Sequence, residues 1–577
     1  MSYRVEKDVM VEMRDGETLA TDLWLPEGGP APTLVVRTPY AKDFPNLLAN
    51  AIDVPRLVEA GYAVAWQDSR GTGRSGGVFA PMSDDAHDGN DTLAWLRTQP
   101  WSDGTIGTFG ASALGWAQWA TASESPAGLQ AIAPTVTTSD HYTAPWYSDG
   151  GALSLHMSLW WSTLMGLFGA QRALAAGTGP PDTLLEVAGA LDALPSRLAA
   201  MPTSDHPALV GPAPWFGQML RHPDRDRFWQ DLSISDQADQ VTAPALNVGG
   251  WFDVFAGATT STYTRMRREA GSAEARAGQR LVMGPWDHTG YTGAYFDRQF
   301  GSGADILAAD LTGVHLAFFD RHLRGRTDAL EGTAPVRIFV MGIDQWRDEQ
   351  DWPLPDTRYT DFHLTGSGRA GTDAEDGGLS PDGPGENATD VFTYDPADPV
   401  PSRGGRLIAP GTLNAVGPVD QRDVEARDDV LLFTTPVLIE PLEVTGPISL
   451  VLHVASSALD TDVTGKLVDV FPDGRSIYLT DGIARMRYRN SLAAPELLAP
   501  GRVYEVTVDL SVTSNVFLPG HRVGLEISSS NFPRYDRNTN TGGVIAEESL
   551  DQAVVATNRV LHGPDHPSRL VLPLITR

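Results

Sequence analysis

Cysteine is absent from all 577 residues. That removes disulfides, thiolate nucleophiles and Cys-ligated zinc or iron–sulfur centres. Basic residues are scarce: 43 Lys and Arg stand against 73 Asp and Glu, a net charge of -30. Nucleic acid and anionic membranes are bound mainly through Lys and Arg, so this field excludes both as partners and reads as a solubilising surface. The opening residues, M-S-Y-R-V-E-K-D, carry charge where a secretory signal needs an apolar core, so export by that route is not expected. One uncharged run, Gly150 to Gln171, is long enough to span a bilayer. Its four glycines, His156, Gln171 and several hydroxyls fit a buried or pocket-lining helix better. There is no H-E-x-x-H, and His315 and His322 are seven apart, which suits packing rather than metal ligation. A cytoplasmic protein with no metal and no other cofactor is expected.

What is present is a folded composition, 41% hydrophobic and 20% charged, in a chain too long for one core. Short apolar runs at Thr33–Arg37, Ala63–Gln67, Thr105–Phe109 and Leu129–Ala133 alternate with helical spacing over Asn46–Ala60 and Asp84–Thr98. Repeated strand–helix–strand units imply a parallel sheet covered on both faces. From about Thr143 to Thr242 the strand signal disappears into Trp-, Ala- and Leu-rich segments, then returns at Ala245–Val248 and Arg280–Met283, followed by a helix over Ile306–Leu323. The segment Gly366–Pro384 reads as a loop. Beyond it lie β-branched runs at Val430–Phe433, Ile448–Val454, Val503–Leu510 and Val523–Ile527, separated by Pro-Gly turns. The expected architecture is α/β: an α/β-hydrolase domain (1–142 and 243–350), a helical cap inserted at 143–242, and a C-terminal all-β jelly roll (351–577).

The segment Gly110-Ala111-Ser112-Ala113-Leu114-Gly115 sits between a strand and a helix, with small residues around the serine. A turn that sharp projects the hydroxyl and aims the next backbone N–H, that of Ala113, at a developing oxyanion. A serine hydroxyl needs a base. Downstream, V-G-G-W-F-D places Asp253 at a strand end, and M-G-P-W-D-H places His288 at the next. The order Ser…Asp…His puts all three at one edge of a parallel sheet. Asp287 is the rival to Asp253, but adjacent residues on an extended segment point to opposite sides. The run Gly71-Thr72-Gly73-Arg74-Ser75-Gly76 fits G-x-G-x-x-G, yet Gly77-Val78-Phe79-Ala80-Pro81 cannot start the helix that a dinucleotide site needs.

With those residues placed, the chain resembles the cocaine esterase group of α/β-hydrolases, which includes X-prolyl dipeptidyl peptidases, α-amino-acid ester hydrolases and glutaryl acylases. The resemblance is carried by V-R-T-P-Y-A-K (36–42), A-P-W-Y (144–147), A-F-F-D-R-H-L-R-G (317–325), V-M-G-I-D-Q-W-R-D-E (340–349), K-L-V-D-V-F-P-D-G-R (466–475) and S-S-N-F-P-R-Y-D-R-N (529–538). It implies Ser112, His288 and Asp253 as a catalytic triad. It also implies Tyr40 as a second oxyanion donor beside Ala113, and Trp146, Trp161, Phe255 and Leu407 as substrate-binding residues. Two departures stand out: Ala113 where the family usually has tyrosine, and Ile408 where it has an aromatic. The implied activity is a serine carboxylesterase acting on small-molecule esters with a bulky, benzoyl-like acyl group. Amide or peptide hydrolysis is the alternative within the family, and a non-catalytic carbohydrate-binding protein is the alternative outside it. Relatives form dimers or larger assemblies, so a homodimer is an expectation.

Overall fold

Among the described residues, seven short apolar strands, paired in parallel and largely buried, organise the chain as far as Val340. In the computed structural model, residues 3–43, 52–206, 211–408 and 416–577 are described. The first part of the helix expected at Asn46–Ala60 therefore lies outside the described residues. The sheet order is β1-β2-β4-β3-β5-β6-β7-β8-β9-β10. These strands are β1 (Tyr3–Glu12), β2 (Thr18–Pro26), β3 (Ala31–Thr38), β4 (Ala63–Asp68), β5 (Ser102–Ala111), β6 (Leu129–Thr135), β7 (Leu246–Gly250), β8 (Arg280–Gly284), β9 (Val336–Val340) and β10 (Gln345–Glu349). Strands β3 to β9 run parallel, and antiparallel strands flank them. All eight residues of β3 are buried. Alternation sends Val35 to one cluster with Leu93 and Leu96, and Leu34 and Val36 to another with Phe318 and Phe319.

The helices over the sheet begin with α1 (Val54–Glu59), α2 (Asp85–Arg97) and α3 (Ala113–Ser123). Between β6 and β7 the described residues form helices and turns, with isolated bridges joining Tyr147 to Leu153 and Ala245 to Ile132. The cap helices are α4 (Leu155–Ala175), α5 (Pro181–Asp192), α6 (Leu194–Ala199), α7 (Pro214–Leu220) and α8 (Arg227–Leu232). Among the described residues no helix is long and apolar enough to cross a membrane; α4 instead buries Trp161, Met165 and their neighbours. Three helices complete the α/β part: α9 (Ala256–Glu269), α10 (Ala273–Ala277) and α11 (Leu311–Leu323). The helix expected from Ile306 starts only at Leu311, because Asp310 adopts a left-handed conformation and its carboxylate caps the Gly313 N–H.

The glycine-rich 71–76 loop anchors the cap. Arg172 of α4 donates to the carbonyls of Gly71 (2.9 Å) and Ser75 (2.5 Å). The loop thus offers acceptors to a cation rather than N–H groups to a phosphate.

The C-terminal part is an all-β jelly roll with eleven strands among the described residues, antiparallel but for one pairing. Its longest pair, Leu442–Ser456 with Tyr504–Phe517, supplies Leu450, Leu452, Val506 and Val508 to a core continuous with Trp251, Met283 and Ile338 of the α/β domain. Backbone bonds stitch the two together: Met341 N–H to Ser514 O at 3.0 Å and Val516 N–H to Met341 O at 2.8 Å. The loop expected at Gly366–Pro384 is interrupted by a short strand, Gly378–Ser380, which pairs with His363–Thr365. At the cap base the Arg485 N–H reaches Gly150 O at 2.9 Å, while its guanidinium pairs with Asp462 and Asp536. Cap, sheet and β domain therefore meet around the carboxyl ends of β5 to β8.

Candidate active site

Ser112 is the junction between β5 and α3, with φ 60 and ψ -123. A non-glycine residue in that conformation is strained and persists only where its surroundings impose it. Here they do. The Ser112 N–H donates to Thr135 O (2.9 Å) and the Thr137 hydroxyl donates to Ser112 O (2.8 Å). A Cβ at Gly110 would come within 2.7 Å of Leu114 Cβ, and one at Gly115 within 2.6 Å of Thr137 Cγ2. The small residues of the motif are thus what lets the chain turn. Ala113 heads α3, where the first N–H groups lack intrahelical partners and carry the positive end of the helix dipole.

The serine meets its partners across the sheet edge. Ser112 Oγ lies 3.0 Å from His288 Nε2, and His288 Nδ1 lies 2.7 Å from Asp253 Oδ2. Asp253 is wholly buried and His288 is 3% exposed. The other oxygen of Asp253 accepts the Phe255 N–H at 2.6 Å, so its carboxylate is fixed from two sides. Asp287 does something else: its Oδ1 accepts the N–H groups of Thr289 (2.9 Å) and Gly290 (2.8 Å), closing its own turn.

Tyr40, just after β3, is 8% exposed and its phenol reaches the Ser112 side chain. The indole N–H of Trp161, on α4, donates to Tyr40 Oη at 3.0 Å. Burial pushes the phenol's pKa up, keeping it protonated and able to donate. A cap side chain thereby orients a side chain beside the nucleophile.

Beside Ser112 lies a cavity of about 60 Å³, walled by Ala113, Trp146, Trp161 and Phe255. Trp146 and Trp161 meet edge to face at 5.4 Å, and the Phe255 ring is 5.4 Å from that of His288. Leu407 is not in that wall. It lines a neighbouring cavity of about 310 Å³ between the cap, α9 and the β domain, and the two cavities share Pro145 and Met157. Ile408 is buried in the cluster that holds Tyr40 and Trp146. The sequence reading missed Phe79, Met82, Asp85, Trp116, His141 and Met157, all in the smaller cavity's wall. Only Trp116 carried a signal, since it lies three residues after Ala113 and so on the same helix face.

A serine hydroxyl hydrogen-bonded through a histidine to a buried carboxylate suits nucleophilic attack on a carbonyl. The X-Pro dipeptidyl-peptidase (S15 family) pattern matches residues 15–290, and that of the X-Pro dipeptidyl-peptidase C-terminal non-catalytic domain matches 328–571. Cocaine esterase from Rhodococcus sp. (strain MB1 Bresler) is 48% identical over 579 residues, covering 100% of this chain and 99% of its own. Among solved structures, an α-amino acid ester hydrolase aligns with TM-score 0.80 at 25% identity, over 99% of this chain and 97% of its own. An aminopeptidase from a marine sediment archaeon, Thaumarchaeota archaeon, aligns with TM-score 0.81 at 25% identity, over 100% and 97%. Matched in both halves by that family's patterns and end to end by cocaine esterase, the chain belongs to the X-Pro dipeptidyl-peptidase (S15) family of serine hydrolases.

Proposed function

We propose that the chain hydrolyses carboxylic esters through an acyl-enzyme on Ser112, preferring aromatic, benzoyl-like acyl groups. The observation that carries this is the hydrogen-bonded line Ser112–His288–Asp253, with Tyr40 beside it. Ser112 Oγ bonds to the ester carbonyl carbon while its proton passes to His288 Nε2. Asp253 holds the imidazole tautomer and stabilises the cation that forms. The Ala113 N–H and the Tyr40 hydroxyl donate to the tetrahedral oxyanion. Collapse breaks the ester C–O bond, and His288 returns the proton to the departing alkoxide. Water then repeats the sequence on the acyl-enzyme, releasing the acid and restoring the serine.

Trp146, Trp161 and Phe255 favour a flat acyl group. The cavity's 60 Å³ is under half of the roughly 150 Å³ that accommodates benzene. A benzoyl group therefore displaces the two methionines of the wall, Met82 and Met157, whose thioethers re-pack readily. The alcohol side faces the larger cavity lined by Leu407. Recognition of a free amino end asks for an ionised carboxylate in the acyl cavity. The acid in that wall is Asp85, which already faces the Arg37 guanidinium at 3.7 Å. A carboxylate so engaged is a poor receptor for a free amino end, which favours esters over peptides.

The test is fluorophosphonate labelling with mass mapping, alongside turnover of phenyl benzoate, phenyl acetate and benzanilide. Label on Ser112, lost in Ser112→Ala, with benzoate turnover and no anilide turnover is the expected result. Comparable anilide turnover would move the chain to the amide-hydrolysing branch, and acetate preferred over benzoate would overturn the acyl assignment.

A further inference from the structure

The acyl cavity carries polar equipment that a benzoyl group does not use. His141, between β6 and α4, is 8% exposed, and neither ring nitrogen has a hydrogen-bond partner among the described residues. The same holds for Trp116 Nε1 and Trp146 Nε1, on residues 4% and 3% exposed. All three residues line the cavity that holds Ser112 and Ala113. His141 and Trp116 lie against each other, ring centroids 3.8 Å apart, so they form one wall with an accepting and two donating positions. Burial lowers the pKa of His141 to about 3, so its ring is neutral and offers one N–H and one lone pair. Buried polar atoms without partners are uncommon and costly in folded proteins, and four of them on three residues of one small cavity call for a ligand that satisfies them. Ala113 bears on this too. It lines the same cavity as Ser112, Trp116 and His141, so a larger side chain there would take up part of that space.

We infer that the acyl pocket selects an acyl group bearing a hydroxyl, such as a hydroxybenzoyl, with His141 as the specificity-determining hydrogen-bond partner and Trp116 Nε1 as an auxiliary donor. The inference rests on the ester-hydrolase reading of Ser112. A hydroxyl both donates and accepts, so it can meet the His141 lone pair and one indole N–H together. An acyl group with a methyl in its place leaves those atoms unpaired, and sites built around a substrate hydroxyl discriminate strongly against such analogues.

The experiment compares p-nitrophenyl esters of 3- and 4-hydroxybenzoic acid with those of 3- and 4-methylbenzoic acid, which match them in size. Each kcat/KM, taken at a pH below the phenol's pKa, is divided by the ester's own imidazole-catalysed rate at that pH to remove electronic effects. The expected result is a preference of about tenfold or more for one hydroxy ester over its methyl partner. In His141→Leu the ratio of hydroxy to methyl ester turnover falls to about one, read as a ratio within the variant so that any general loss of activity cancels. A second readout needs no variant: competitive inhibition of the unaltered protein by the free hydroxy and methyl acids, with the His141 ring resonances followed by NMR. A lower inhibition constant for the hydroxy acid, with a shifted His141 resonance, supports the inference even where His141→Leu does not fold. Methyl esters preferred at both positions, or a hydroxy preference unchanged in folded His141→Leu, would overturn it. Failure of all four esters together with no fluorophosphonate label on Ser112 would instead sink the ester-hydrolase reading beneath it.

Discussion

Replacing Tyr40 by phenylalanine removes one oxygen from a buried site and leaves the ring in place. If that phenol stabilises the oxyanion, its loss costs about 3–4 kcal/mol in the transition state, or about 10²–10³ in kcat. KM should move little, because the donor is aimed at charge absent from the ground state. The indole of Trp161 donates to the same oxygen at 3.0 Å, so Trp161→Phe frees the phenol to turn away. A hydrogen bond of that kind contributes about 0.5–1.5 kcal/mol, a loss of roughly two- to tenfold in kcat. The two effects are coupled through one atom. Once Tyr40 is phenylalanine, the Trp161 N–H has no phenol to hold, and Trp161→Phe should cost less in kcat than it does in the parent, the remainder coming from its place in the acyl wall. The assay is pre-steady-state acylation with p-nitrophenyl benzoate, using enzyme titrated by fluorophosphonate so that only competent sites are counted. A Tyr40→Phe variant within threefold of the parent, or a Trp161→Phe penalty equal in both backgrounds, would refute the coupling and the oxyanion role.

Asp253→Asn should lower kcat by about 10⁴, because an amide stabilises the wrong imidazole tautomer. Asp287→Asn should stay within a few-fold of the parent, since that carboxylate closes its own turn; reversed sensitivities in ester turnover would reassign the orienting acid. Gly115→Ala sets a Cβ 2.6 Å from Thr137 Cγ2 and should destabilise by about 1–3 kcal/mol. Thr137→Ala in the same chain should recover part of that, read as the urea midpoint; a midpoint unmoved by Gly115→Ala would show that the elbow is not sterically fixed. His315 is fully buried, donates from Nδ1 to Leu311 O, and has its pKa pushed down to about 4 by burial. A lowered folded pKa means stability that is fully present above the unfolded value of about 6.5 and is lost as pH falls toward 4. At pH 5 that loss is about 2 kcal/mol. His315→Phe should therefore narrow the gap between the melting temperatures at pH 8 and pH 5, and an unchanged gap would mean the histidine charges without cost.

Much of this protein was legible along the chain because its signals are local. Runs such as T-L-V-V-R and A-V-A-W-Q are short enough only for buried strands, and each became one. The strand–small–serine–small–helix pattern marked Ser112 because the turn itself demands those residues. Asp253 and His288 were legible because parallel strands deliver their carboxyl ends to one edge. The signal failed where pairing is long-range or caps act. The antiparallel β1 and β2, the β9–β10 hairpin and the strand Gly378–Ser380 owe their state to neighbours rather than to their own pattern. The start of α11 at Leu311 is set by the Asp310 cap.

The cavity walls lay beyond any one-dimensional reading. His141 and Trp116 are ordinary residues in sequence, and nothing in their spacing says that they meet at 3.8 Å beside Ala113. Leu407 is similar in kind: motif matching assigned it to the substrate, and folding set it in the larger cavity, on the far side of Pro145 and Met157 from Trp161. Backbone periodicity and turn sterics act over a few residues and are therefore written in the chain. Which side chains share a cavity, which lack a partner and which hold Tyr40 in place depend on packing between segments a hundred or more residues apart, and these are settled when cap, sheet and β domain close on one another.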